Sequence, residues 1–309
     1  MNAVPQSRVQ PSTTTWTLAE EPALLAPALD RLQSFACAQI GRHAVLSLYD
    51  ELALAPKPGL VSFVDAGSHR DMDARTFLRS LFALRRTFPS FARLGAEGAG
   101  FAALEREGLD AEVRMLRATA GINTHRGAIF TLGLLCAAAG RCLADRLPVV
   151  DSHLRGMLRA TWGADLARRA AHATESHGAN AARRLGLRSA GREAADAFPV
   201  LFEIVWPSLR DASVKGLAPE RARLQALFAA MAALEDTNLA HRGGLQALRD
   251  VQGAARQFLD AGGAAADDAQ DRAWALHREL VQRNLSPGGA ADLLAAACWL
   301  QRVTSSATT

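Results

Sequence analysis

Apolar residues along this chain recur at intervals of three and four. Leu32, Phe35, Ala36 and Ile40, followed by Val45, Leu48, Tyr49 and Leu52, predict one face of a long helix. The same period predicts helices at about 73–88, 110–120, 125–145, 151–171, 179–186, 192–214, 219–236, 243–260, 268–282 and 287–302. No β-branched stretch alternates with period two, and no strand-turn-strand signal occurs. The expected fold is all-α, a single-domain bundle of roughly ten or more helices around one apolar core. Its sharpest breaker is Ala55-Pro56-Lys57-Pro58-Gly59, where two prolines remove backbone donors. Residues 1–22, with Pro5, Pro11 and the run Ser12-Thr13-Thr14-Thr15, read as a disordered tail. Residues 23–309 read as one helical catalytic domain, because no long linker divides them.

Composition narrows the class. Hydrophobic residues make up 49% and charged residues 21%, a globular balance. The longest apolar run, Ala128 to Ala139, falls well short of the ~20 residues that span a bilayer and predicts a buried helix. Cys37, Cys136, Cys142 and Cys298 form no C-x-x-C pair and no signal peptide precedes them, so a cytoplasmic location is expected and a zinc site is not. The net charge of +4 suits anionic ligands but is too thinly spread for a nucleic-acid or membrane arm. Only Lys57 and Lys215 are lysines; the abundant arginines suit phosphates, although GC-rich coding explains them equally well.

Five clusters could carry chemistry. Asp65, Asp71 and Asp73 crowd the start of one helix; Asp71 or Asp73 suits an N-cap, and the pair suits Mg²⁺, which takes one or two carboxylates beside phosphate oxygens. Asn123-Thr124-His125-Arg126-Gly127 precedes the most apolar helix, where free N–H groups and the macrodipole favour an anion; plain capping is the alternative. Glu175-Ser176-His177-Gly178 and Asp236-Thr237-Asn238-Leu239-Ala240-His241-Arg242-Gly243-Gly244 each place a carboxylate shortly before a histidine and glycine. In Arg283-Asn284-Leu285-Ser286-Pro287-Gly288-Gly289, Ser286 and Pro287 predict a helix start. The two glycines cost roughly 2 kcal/mol relative to alanine, which close approach of a phosphate or tight helix packing would explain.

These phrases, together with Leu54-Ala55-Pro56-Lys57-Pro58-Gly59-Leu60-Val61, Ser68-His69-Arg70-Asp71-Met72-Asp73 and Asp292-Leu293-Leu294, resemble the triphosphoribosyl-dephospho-CoA synthase family from about residue 35 to 302. Arg126 and Val61-Ser62-Phe63-Val64 make the chain most similar to the malonate decarboxylase branch, with the citrate lyase branch second. The segment Glu193-Ala194-Ala195-Asp196-Ala197 departs from the citrate-type pattern, leaving Glu193 a weak candidate.

The resemblance implies that ATP donates its triphosphoribosyl unit to the 2′-hydroxyl of 3′-dephospho-CoA and releases adenine. A separate transferase would then attach the product to the decarboxylase acyl-carrier protein. In that scheme Asp71 and Asp73 hold Mg²⁺, while Arg126, Arg242, Arg283 and the Gly288-Gly289 helix end hold the triphosphate. Glu175 or Asp236 serves as base, with His177 or His241 nearest adenine. Lys57, His69, Asn123, His125, Asn238, Gly243, Asn284 and Ser286 complete the expected substrate contacts. Two other readings remain: a Mg²⁺-dependent all-α nucleotide phosphohydrolase, and a non-catalytic helical binder of the decarboxylase machinery.

Overall fold

The computed structural model describes the backbone of residues 21–172 and 177–305 and the side chains of residues 30–172, 180 and 182–304. The expected tail therefore lies almost wholly outside the described residues. Among those described there is no strand. The α-helices are α1 (Glu21–Ala53), α2 (Ala74–Leu84), α3 (Thr87–Ala96), α4 (Phe101–Ala118), α5 (Arg126–Ala144), α6 (Asp151–Met157) and α7 (Gly163–His172). They continue with α8 (His177–Leu185), α9 (Ala190–Ala195), α10 (Trp206–Val214), α11 (Pro219–Ala233), α12 (Thr237–Asp260), α13 (Ala269–Gln282) and α14 (Gly288–Ser305). One apolar core runs through them from Cys37 to Val303.

The centre of that core is α5, which packs against α1, α3, α4 and α14. It is long and apolar enough to cross a membrane, yet 72% of its apolar window is buried inside the protein, as a core helix requires. Small residues let its neighbour come close. A Cβ on Gly140 would stand 1.8 Å from the Ala92 carbonyl oxygen, and one on Gly95 1.9 Å from that of Ala137, so α3 and α5 touch backbone to backbone. Gly140→Leu is expected to destabilise the fold by about 3 kcal/mol, read as a lower urea midpoint at unchanged slope.

The boundaries differ from the sequence reading where tertiary packing decides them. The stretch 73–88 is two helices, with α3 beginning at Thr87. The helix placed at 110–120 starts at Phe101. The stretch 192–214 breaks after α9, where Ala197 and Phe198 take left-handed backbone ahead of Pro199 and Phe198 is buried. On α1, Ile40, Leu48 and Leu52 are buried as expected and are joined by Cys37 and Ala44, whereas Leu32, Phe35 and Tyr49 face outward. That buried face also carries Ser47 and Glu51.

Candidate active site

Three long helices begin at one place. The starts of α5, α12 and α14 open onto a cavity of about 460 Å³, closed on its other sides by α1, the 60–72 loop, α7 and the start of α9. Most of the first-turn N–H groups already have side-chain acceptors, Asn123 at α5 and Asp236 at α12 and α14, so what the three converging starts offer an anion is chiefly their positive dipole ends. Arg126 and Arg242 line the cavity as forked donors. Arg126 is anchored by Nε donating to Glu112 (2.7 Å), and its backbone N–H donates to the Asn123 side chain (3.1 Å).

Arg242 ties three segments together. Its guanidinium donates to the carbonyls of Ser68 and Asn284, both at 3.1 Å, and to His69 Nδ1 at 3.2 Å. Because a guanidinium only donates, Nδ1 accepts and the His69 proton sits on Nε2, 3.0 Å from Ser286 Oγ. Burial, then the Arg242 charge, pushes the His69 pKa down to about 4.

His125 is deeper, with Nδ1 held by the Ser80 hydroxyl at 2.6 Å. Burial holds its pKa near about 3, aided by the Lys57 charge. Among the described residues nothing satisfies His125 Nε2 or Thr124 Oγ1, although both residues line the cavity. Buried polar atoms of this kind call for a partner, a water or a ligand, within the cavity. Both imidazoles have depressed pKa values, so the unfolded chain takes up their protons first, near pH 6.5. Stability is therefore complete above about 6.5 and is lost as pH falls toward 4 and 3. Melting temperatures recorded from pH 7.5 to 5 are expected to drop, and to drop less in His125→Gln.

The floor holds carboxyls that the sequence reading did not assign. Glu51 and Asp292 both line the cavity. Glu51 accepts from the ammonium of Lys57 at 2.5 Å, with both side chains buried. Among the described residues Asp292 has no such cation. Burial, then the charges of Glu51 and Asp236, raises its carboxyl pKa far above the usual range, while the Ala128 N–H pulls it back. Burial raises the Glu51 pKa as well, but the contact with Lys57 opposes that. Burial thus drives Asp292 toward its neutral form, whereas Lys57 draws Glu51 toward its carboxylate. Gly127 makes room for it, since a Cβ there would lie 2.0 Å from Asp292 Oδ2.

A chain of this kind has known relatives. The model of the family described as ATP:dephospho-CoA triphosphoribosyl transferase matches residues 37–308. The chain belongs to this family. A protein of Stutzerimonas stutzeri, named a probable 2-(5″-triphosphoribosyl)-3′-dephosphocoenzyme-A synthase, is 41% identical over 85% of this chain and 91% of its own length. Proteins with the same printed name from Acinetobacter calcoaceticus and Vibrio cholerae are 37% and 36% identical, over 83% and 84% of this chain and 88% and 86% of their own lengths. No solved structure gives a significant match.

Of the residues expected at the site, the cavity gathers His69, Asn123, His125, Arg126 and Asn238, and also His241, Arg242, Ser286, Gly288 and Gly289. Others take different positions. Asp236, expected as a base, is buried and accepts backbone N–H groups of Asn238, Leu239, Gly289 and Ala290. It pins the starts of α12 and α14 together and does not line the cavity. Lys57 lies beneath the floor, 1% exposed, so it acts on the cavity through Glu51. Arg283 turns to Asp250 and Glu279, and Asn284 contributes left-handed backbone and a carbonyl for Arg242. Gly243 is a packing glycine, since a Cβ there would meet Ala247 Cβ at 2.4 Å and Leu285 Cδ2 at 2.7 Å. Glu193 is buried against Arg188. Glu175 lies outside the described residues; His177 begins α8, and its side chain is likewise outside them.

Asp73, expected on a metal, caps α2, its Oδ1 accepting from both the N–H and the hydroxyl of Thr76 at 2.8 Å. Among the described residues no three His, Cys, Asp or Glu side chains stand together as a metal cage. A Mg²⁺ carried on a nucleotide needs only one or two carboxylates. The exposed Asp71 carboxylate, 3.8 Å from His69 at the cavity edge, fits that requirement.

Proposed function

We propose that this protein transfers the triphosphoribosyl unit of ATP to the ribose 2′-hydroxyl of 3′-dephospho-CoA, releasing adenine and forming 2′-(5″-triphosphoribosyl)-3′-dephospho-CoA. The observation that carries this reading is the convergence of three helix starts and two arginines on a cavity whose floor holds an acidic carboxyl. Membership of the family supports it.

The chemistry follows from that arrangement. Breaking the bond between C1′ and the base passes through an oxocarbenium-like state, so a proton must reach the departing adenine and another must leave the acceptor hydroxyl. Asp292, kept protonated by burial and by its anionic neighbours, supplies the first. Glu51, held toward its charged form by Lys57, receives the second. His125 Nε2 and Thr124 Oγ1 orient the reacting groups, and Arg126, Arg242 and the three helix starts fix the triphosphate, which is retained throughout. Mg²⁺ arriving on the triphosphate would be held by Asp71 and would balance phosphate charge.

The product then serves as precursor of the acyl-carrier prosthetic group of malonate decarboxylase, delivered by a separate transferase; Arg126 and the 61–64 segment favour that pathway over citrate lyase. The test is to incubate the protein with ATP, Mg²⁺ and dephospho-CoA and to follow free adenine and the coenzyme mass. Adenine with a triphosphoribosyl gain on dephospho-CoA is expected. Release of ADP or AMP without adenine would replace the transferase by a phosphohydrolase.

A further inference from the structure

Beside the main cavity runs a narrower slot between α3, α4 and α5, lined by Phe91, Phe101, Leu104, Gly108, Leu109 and Leu134. The two spaces share Glu112, Phe130 and Arg169, so the slot borders the phosphate-binding chamber across these three side chains. At its rim Arg169 lies over the Phe130 ring, 5.8 Å from the centroid, and pairs with Glu105 at 2.7 Å. The slot holds about 50 Å³. At roughly 10–15 Å³ for each water-sized group, that is room for about four atoms in file.

Gly108 is the second observation. It sits inside α4, where glycine is less stable than alanine. Nothing in the packing requires it, because a Cβ there would meet only Phe91, at an ordinary 3.8 Å. Its missing side chain instead keeps the slot open. At the mouth Leu109 is 54% exposed, apolar surface available for a ligand to cover.

We propose that this slot receives the thiol-bearing end of the pantetheine arm of dephospho-CoA, its N–C–C–S tip lying among the phenylalanines while the diphosphate stays in the main cavity. The occupant follows from shape and polarity. An acceptor with an anionic nucleotide at one end and a thin, weakly polar chain at the other matches a charged chamber with a narrow apolar extension. This inference rests on the transferase reading for the identity of the acceptor.

The test compares dephospho-CoA with ADP, which lacks the arm, by calorimetry on the wild type, Gly108→Leu and Leu109→Glu. Gly108→Leu fills the slot and is expected to weaken dephospho-CoA binding at least 10-fold while ADP binds as in the wild type. Leu109→Glu, at an exposed position that tolerates change, is expected to weaken it several-fold and serves if Gly108→Leu does not fold. Unchanged dephospho-CoA affinity in the folded variants would overturn the subsite. Failure of the transferase reading would look different: no adenine would be formed from ATP and dephospho-CoA, whatever the slot variants bind.

Discussion

Replacing Asp292 with asparagine is expected to slow adenine release by about 10²–10⁴-fold, the usual loss when a general acid is removed. The fold should survive. Asparagine has the same shape, its side-chain oxygen still accepts the Ala128 N–H, and the change removes a potential charge that Glu51 and Asp236 oppose. A melting temperature at or above that of the wild type, with turnover lost and the ATP KM little altered, is the expected combination. Gly127→Ala probes the same group from outside, because the added methyl would occupy the place of Asp292 Oδ2. It too should lower turnover while every carboxyl remains in the sequence. Asp292→Asn turnover within a few-fold of the wild type would remove Asp292 from the chemistry.

The largest stability effect is expected from Lys57→Met. Lys57 is the counter-ion of Glu51, and both lie almost wholly out of water. Removing one partner of a buried pair leaves an uncompensated charge and costs about 3–5 kcal/mol. The cost falls beside Asp292, whose carboxyl already feels the charges of Glu51 and Asp236. Replacing both partners, as Lys57→Met with Glu51→Leu, removes the charge mismatch and should return the unfolding midpoint to near the wild-type value. That double variant should still be inactive, because it lacks the carboxylate that takes the hydroxyl proton. Denaturant midpoints of the two variants decide the point, and a loss below about 1 kcal/mol in the single variant would contradict the pairing.

The all-α class, the buried nature of the 128–139 run and the positions of the helix starts near 126 and 288 were legible from local periodicity and the Gly and Pro breakers, but the caps were not: His125 makes no side-chain cap, and Asp236 takes the N–H groups at the start of α14 while the Ser286 hydroxyl meets His69. The cluster 236–244 was legible as a candidate, and Asn238, His241 and Arg242 from it do line the cavity, but its helix begins at Thr237, because the Asp236 side chain caps it well ahead of the kink at Gly244. Roles that depend on distant partners were not legible. Asp236 stands before a histidine and a glycine and so resembled a base; only the folded chain brings residues 289 and 290 to its second oxygen. Lys57 lies in a Pro-rich turn that gives no hint of burial. Glu51 and Asp292 did leave a trace that went unused: each is a charged residue on an otherwise apolar helix face, Glu51 between Leu48 and Leu52 and Asp292 within Ala290–Leu294. A charge placed there needs a partner or a function.

Hydrogen exchange with and without ATP tests most directly whether the three helix starts form the nucleotide site. Slower exchange on ATP addition is expected at the amides of residues 126–128, 237–239 and 288–290 together. Protection confined to the separate cavity around His43, Asp50, Arg223 and Arg302, with those three starts unchanged, would contradict it.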